Sequence, residues 1–390
     1  MFAKIFKQVV SAENQFDFQS NLVFVTDRIV NYEYTKRWTK PGDFKLVFPF
    51  RKELLRAVKL NGFIYFDDDW LWIQSVSYNG QTINVSGKDC KGLLETRIII
   101  PNNTGYTGYS SVPTDSASWT TLRCIQYYVN RCCNPTYADS NRCLPLTVYR
   151  NSSSEVRGLM DDHYMARFEY LSDVVTNLCD NADIGYDVKG DFSSNIFELK
   201  TLRGTDRSVN QNINPRMIFS ADWRNIVSQT FEHSVENVLT SVYGTDSGDY
   251  SKLIERNPDV PQQALDMNDS NDTAKIAAGF SRRECNVSVG LSNTDSWFEK
   301  YVINEVKDNV AAESFEISVP FSGYGKDYFL GDTVTVKDDF TGDKFTRVIT
   351  EVTKNYSNGQ RAVSLVLGIP KQKPMQKIVN NLINRTQKRK

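Results

Sequence analysis

The chain has 390 residues and a mass of 44.6 kDa, more than one ordinary hydrophobic core accommodates, so two to four domains are expected. Hydrophobic residues make up 40% and charged residues 24%, which excludes a disordered chain, and no stretch approaches the roughly 18 uninterrupted apolar residues of a membrane span. The net charge is −1, and only two histidines, His163 and His233, are available to a histidine-dependent triad or a catalytic zinc site, which weighs against an enzyme without excluding carboxylate chemistry.

Aromatic residues reach 12%, and Thr and Val are plentiful, a load that favours strands. The first residues, Met1-Phe2-Ala3-Lys4-Ile5-Phe6-Lys7, hold no long apolar run and no small-residue cleavage site, so no signal peptide is expected and the product is read as staying where it is translated. Lys40-Pro41-Gly42-Asp43 has turn chemistry, and Phe44, Leu46, Phe48 and Phe50 then alternate with other residues as in a strand with one buried face. Phe63 to Phe66 and Trp70 to Ile73 flank Asp67-Asp68-Asp69, which reads as a solvated hairpin tip. Val76 to Tyr78 and Thr82 to Val85 bracket Asn79-Gly80, a strong hairpin signal. A brief helix is expected over Asp89 to Glu95.

From Pro101 to about Pro215 the pattern changes. Asn102 to Ser116 is polar and rich in Gly, Ser and Thr, as an exposed excursion would be. A helix is expected to begin near Asp115 or Ser116, with Leu122, Ile125 and Val129 as its apolar stripe. Leu171, Val174, Val175 and Leu178 mark a second helix. Strands return over Ile184 to Val188 and Ile196 to Leu199, giving a small inserted α/β domain. After Met217 strands are expected over Asn237 to Gly244, Cys285 to Val289, Ser314 to Pro320, Thr333 to Val336, Phe345 to Val352 and Ala362 to Gly368, with turns at Thr341-Gly342-Asp343 and Asn358-Gly359. The polar tract Asp246 to Thr273 reads as a loop, with a helix beginning near Asp272.

The last twenty residues stand apart. Residues 371–390 carry seven positive charges and no acidic residue, so the rest of the chain is at −8. Ile378, Val379, Leu382 and Ile383 sit at helical spacing, so the segment can form a short basic amphipathic helix. Lys377, Ile378, Val379, Leu382, Ile383 and Arg385 are therefore the candidate partner-binding residues, weighed against a solvated terminus and against direct nucleic-acid contact.

Other candidates have bland readings. The seven cysteines, 90, 124, 132, 133, 143, 179 and 285, lack disulfide or zinc spacing and read as buried free thiols. Asp161-Asp162-His163 reads as acidic residues preceding a helix rather than an acid/base cluster. The Tyr106 and Tyr109 loop could form a carbohydrate-binding surface, but reads first as an ordinary exposed loop. Gly323 and Gly325 read as a bend, and no Walker or dinucleotide fingerprint is present, so no catalytic residue, metal or cofactor is assigned.

Six segments in order resemble the hub-like tail proteins of siphoviruses: Arg37-Trp38-Thr39-Lys40-Pro41-Gly42-Asp43-Phe44-Lys45-Leu46; Gly87 to Ile99; Gly204-Thr205-Asp206-Arg207-Ser208; Phe219-Ser220 with Asn225 and Asn237 to Gly244; Gly279 to Glu284; and Asp327 to Val334. The similarity spans roughly residues 30 to 368. It implies a β-rich α+β fold with two hub-type β-barrel domains forming a ring and a small inserted α/β domain. The expected division is 1–100, first β-barrel region; 101–215, insertion; 216–370, second β-barrel region; and 371–390, basic tail. The barrel-forming parts lie at about 20–100 and 216–368.

The implied function is structural. A homotrimer would close or adapt the end of a tail tube around the DNA channel, with distal tail, tape-measure and tip or receptor-binding components as partners, in the tail tip of a virion assembled in the host cytoplasm. The alternatives are a carbohydrate- or receptor-binding tail protein and a cell-wall or polysaccharide hydrolase.

Overall fold

Strands dominate the regular structure. The computed structural model describes residues 2–7, 18–100, 110–111, 120–134, 142–149, 165–166, 168–236, 238–246, 251–255, 277–289 and 312–368. In chain order the elements begin with β1 (Ala3–Phe6), α1 (Phe18–Asn21), β2 (Leu22–Thr26), β3 (Asn31–Arg37), β4 (Asp43–Pro49), α2 (Lys52–Ala57), β5 (Phe63–Phe66), β6 (Asp69–Tyr78) and β7 (Thr82–Asp89), followed by a 3-10 turn over Cys90–Thr96. Next come β8 (Ser110–Ser111), α3 (Thr121–Cys133), β9 (Leu146–Val148), β10 (Met165–Ala166), α4 (Leu171–Asn181), β11 (Gly185–Asp191) and β12 (Ile196–Leu202). The remainder are β13 (Ile218–Phe219), β14 (Ser228–Ser234), β15 (Ser241–Asp246), β16 (Ser251–Glu255), β17 (Glu284–Val289), β18 (Ala312–Val319), β19 (Thr333–Lys337), β20 (Lys344–Ser357) and β21 (Gln360–Gly368).

The chain divides into two compact units, residues 1–230 with 316–368 and residues 231–315 with 369–390. A large sheet brings strands from the first hundred residues beside strands from the region 312–368. Its strands follow the order β18, β21, β20, β3, β4, β7, β6, β5, β1, β2, and β20 also pairs with β19. The antiparallel pairing of β20 with β3 places Glu351 opposite Arg37 and Thr353 opposite Thr35, whose hydroxyls meet at 2.9 Å.

Alternation along the strands explains which faces are buried. On β4, Phe44, Leu46 and Phe48 point into one core with Tyr32, Tyr34, Ile83 and Val85. On β5 and on β6 as far as Ile73 both faces are buried. Ile64, Phe66, Leu71 and Ile73 join that core, while Phe63 and Trp70 enter a second core built with α3, α4, β11 and β12. A strand covered on both sides has no reason to alternate apolar with polar residues, which accounts for the continuous runs Phe-Ile-Tyr-Phe and Trp-Leu-Trp-Ile.

The second core packs two helices against a small sheet. Leu122, Ile125 and Val129 of α3 and Leu171, Val174, Val175 and Leu178 of α4 are buried against Tyr186, Val188, Phe197 and Leu199. Helix α3 is capped by Thr120, whose Oγ1 accepts the Arg123 amide at 3.2 Å. The expected start near Asp115 or Ser116 lies outside the described residues. The three-stranded sheet of this layer has β12 in its centre, antiparallel to β11 and parallel to β9.

The second unit holds a three-stranded sheet with β15 central, antiparallel to β16 and parallel to β17. This corrects one expectation: the tract from Asp246 is not all loop, because Ser251–Glu255 forms β16 in register with Ser241–Thr245. Leu253 and Ile254 supply strand-favouring residues within otherwise polar composition. The expected helix near Asp272 lies outside the described residues.

Candidate functional site

Four of the sequence motifs converge around Trp38, at the end of β3. The Trp38 amide donates to Thr350 O of β20 at 2.9 Å, and its carbonyl accepts the Tyr186 amide of β11 at 3.3 Å. The nearly buried indole lies between two glycines. A Cβ at Gly185 would stand 2.4 Å from its ring, and one at Gly331 would stand 2.2 Å away. Gly331 also has φ +91°, so both space and backbone require glycine there.

Beside Trp38, Arg37 donates to Glu351 at 2.7 Å, to Asp43 at 2.6 Å and to Pro41 O at 2.7 Å. The first motif is thereby tied to its own turn and to β20. The Gly204–Ser208 motif is stitched to Asp327–Val334 by Asp332. One Asp332 carboxylate oxygen accepts the Thr205 amide at 2.8 Å, and the other accepts Arg207 Nε at 2.8 Å and the Phe329 amide at 3.0 Å. Backbone bonds from Thr333 N to Thr205 O and from Arg207 N to Thr333 O complete the clasp. In the next motif Asn225 closes its own loop, accepting the Ser220 amide at 2.9 Å and donating to Ile218 O at 2.7 Å.

Charges are buried nearby on the same strand. Lys36 Nζ donates to Asp69 at 2.6 Å and to Asp187 at 2.8 Å, and Lys189 stands 3.4 Å from Asp69. Burial alone would lower the Lys36 ammonium pKa, but Asp187 and Asp69 more than offset it and hold it well above the ordinary lysine value. Asp187, which burial would push up, is held below the usual carboxylate range by Lys36, Lys91 and Lys189. Asp89 and Lys91, from β7 and the 3-10 turn, lie at the edge of this cluster.

These contacts correct the reading of Asp67-Asp68-Asp69 as a solvated tip. Asp67 and Asp68 do form the two-residue turn, with φ of 52° and 65°. Asp69, however, is buried in the cluster, and Asp67 pairs with Lys354 of β20 at 2.6 Å. The partners lie far away in sequence, and no local pattern announces them.

Two pockets lie in this part of the fold. One, of about 180 Å³, is mainly apolar, lined by Phe63, Trp72, Leu93, Leu146 and Phe197 among others. The other, of about 70 Å³, lies among Tyr34, Lys36, Asp69, Lys189, Tyr324 and Lys354. Among the described residues no three His, Cys, Asp or Glu side chains converge as a metal-binding set. Of the seven cysteines, Cys285 is half-buried and the others buried, and burial pushes Cys132 up to about 11 and Cys133 up to about 12. Gly323 and Gly325 lie in a bend, where Tyr324 bridges to Tyr328.

The candidate residues Lys377, Ile378, Val379, Leu382, Ile383 and Arg385, the Tyr106 and Tyr109 loop, and Asp161-Asp162-His163 all lie outside the described residues. Sequence reasoning found the motif residues but missed Gly185, Lys36 and Asp187, which lack a local signal. No helix among the described residues is long and apolar enough to cross a membrane.

The fold is that of known tail proteins. The 43 kDa tail protein of prophage MuSo2 from Shewanella oneidensis is 12% identical with a TM-score of 0.50, over 88% of this chain and 94% of that one. The tail protein from Neisseria meningitidis MC58 is 14% identical with a TM-score of 0.51, over 89% and 94%. No curated protein sequence matches the chain. Residues 16–369 match the family described as Siphovirus ReqiPepy6 Gp37-like protein, and the chain, with its β-rich tail-protein fold, belongs to that family of phage proteins.

Proposed function

We propose that the protein is a structural hub of the phage tail tip, closing or adapting the end of the tail tube as a homotrimeric ring around the DNA channel. The observation that carries this reading is the burial of the motif residues in a scaffold. Trp38, Asp332 and Gly331 are spent on joining strands rather than on lining an open cleft. Family membership and the tail-protein fold support the same reading. The residues at about 20–100 and 216–368 form the barrel regions of the ring, with 101–215 inserted between them. Two barrel-like parts per subunit let three subunits match a sixfold tube. An acidic body suits a lumen through which DNA slides, because fixed negative charge repels phosphate.

Its partners are further copies of itself, the tail tube and distal tail proteins, the tape-measure protein and tip components. The basic segment bearing Lys377, Ile378, Val379, Leu382, Ile383 and Arg385 docks on one of these. The test is the mass of the full-length protein in solution by light scattering, with immunogold labelling of purified particles. A trimer and label confined to the tail tip are expected. A monomer absent from particles overturns the reading, and normal infectious particles after deletion of residues 371–390 overturn the role of that segment.

A further inference from the structure

Asp89 and Lys91 form a buried pair that the junction leaves half-satisfied. Asp89 ends β7 and caps the 3-10 turn, where its Oδ1 accepts the Lys91 amide at 3.1 Å. Its Oδ2 is buried and accepts no hydrogen bond. The Lys91 ammonium stands 3.9 Å from that oxygen, is fully buried, and donates instead to the Arg37 carbonyl. It also lies over the Tyr186 ring, 5.2 Å from its centre.

The charged and titratable groups around the pair come from every neighbouring element. Lys36 and Tyr34 belong to β3, Asp69 to β6, Cys90 and Glu95 to the turn, Tyr186, Asp187 and Lys189 to β11, and Cys179 to α4. Lys36 and Lys189 are engaged with Asp69 and Asp187. Lys91 is thus the cation within ion-pair distance of Asp89, with Lys36 acting from farther off, and it is held beyond hydrogen-bond distance.

We propose that Asp89 is a proton-binding latch. With a proton on its carboxyl, β11 and α4 are held firmly against β3 and the turn. When the proton leaves, a carboxylate remains in a dry site with no cation hydrogen-bonded to it, and the contact loosens. Burial raises Asp89 to about 7, partly opposed by Lys91. The folded protein therefore keeps a proton that the unfolded chain releases near the ordinary Asp value of about 3.9. The stability this group contributes is largest below that value and falls as pH rises towards its folded value. Lys91, lowered by burial, acts in the opposite sense between its folded value and the ordinary lysine value.

The test combines carboxyl ¹³C NMR of aspartate-labelled full-length protein with amide hydrogen exchange, corrected for intrinsic rates, from pH 6 to 8.5. One carboxyl should titrate with a midpoint near 7 and vanish in Asp89→Asn. Protection of the Tyr186 amide, bonded to Trp38 O, should fall about tenfold in the parent, as for one unit of linkage, and stay level in the variant. If Asp89→Asn does not fold, Lys91→Met replaces it, and the Asp89 midpoint should move further up with its cation gone. Carboxyls that all titrate below about pH 5, protection independent of pH in the parent, or an unmoved midpoint in Lys91→Met would each overturn the proposal.

Discussion

Two residues near the end of β3 hold its neighbours by different means. At Trp38, contact is made by volume, as an indole closes against two glycines with no room for a methyl group. At Lys36, two residues earlier, contact is made by charge, as one ammonium satisfies two buried carboxylates from β6 and β11. Packing of the first kind fails through any addition, because interiors relax only partly. A charge cluster fails through partial removal, because the remaining ion stays buried without a partner.

The largest effect should come from adding volume. Gly331→Val places a branched side chain at a positive φ and into the Trp38 ring, and is expected to cost roughly 4–6 kcal/mol from strain and overpacking together. Urea midpoints of the purified variant give the figure, and a loss below about 1 kcal/mol would mean the junction yields easily. Next, Lys36→Met should cost about 3–5 kcal/mol by stranding Asp69 and Asp187. The triple change Lys36→Met/Asp69→Asn/Asp187→Asn should recover much of that loss, whereas the same loss in both would show that packing of the lysine stem, not charge, is at work. The parent cluster should hold across neutral pH. Asp187, held low, gives up its contribution only as pH falls through its folded value, and Lys36, held high, only as pH rises through its own. The smallest effect is expected at the clasp: Asp332→Asn keeps the size but weakens the bond to Arg207, costing about 1.5–3 kcal/mol.

What could be read in advance follows the same division. The stripe of Leu171, Val174, Val175 and Leu178 located α4, because an amphipathic period is written locally. Asn358-Gly359 turned as its chemistry requires, with φ of 52° and 79°. Asn79-Gly80 also marked a real hairpin, although the Asn79 side chain closes it by accepting the Gln81 and Thr82 amides. Asp69 was misread because Asp-Asp-Asp resembles any polar tip, and only Lys36, Lys189 and the fold around them bury it. Gly185 was invisible for a similar reason, since the ring that excludes a side chain there arrives from a residue 147 positions earlier in the sequence. The second face of β5 and β6 could be felt in their unbroken apolar runs, but not which layer would cover it.

The pairing of β3 with β20 has a consequence for synthesis. Arg37 meets Glu351, so β3 leaves the ribosome long before its neighbour exists. At ordinary elongation rates of about 5–20 residues per second, the wait is on the order of tens of seconds. Until then β4 covers one side of β3 and the other side is an open edge, a template for pairing with a second nascent chain. Glu33, Lys36 and Arg37 lie along that edge, and their charges oppose such pairing while the chain is incomplete. Two of the three are later taken up by the finished fold, Lys36 by the buried cluster and Arg37 by Glu351, so the groups that guard the unfinished strand also anchor the completed one.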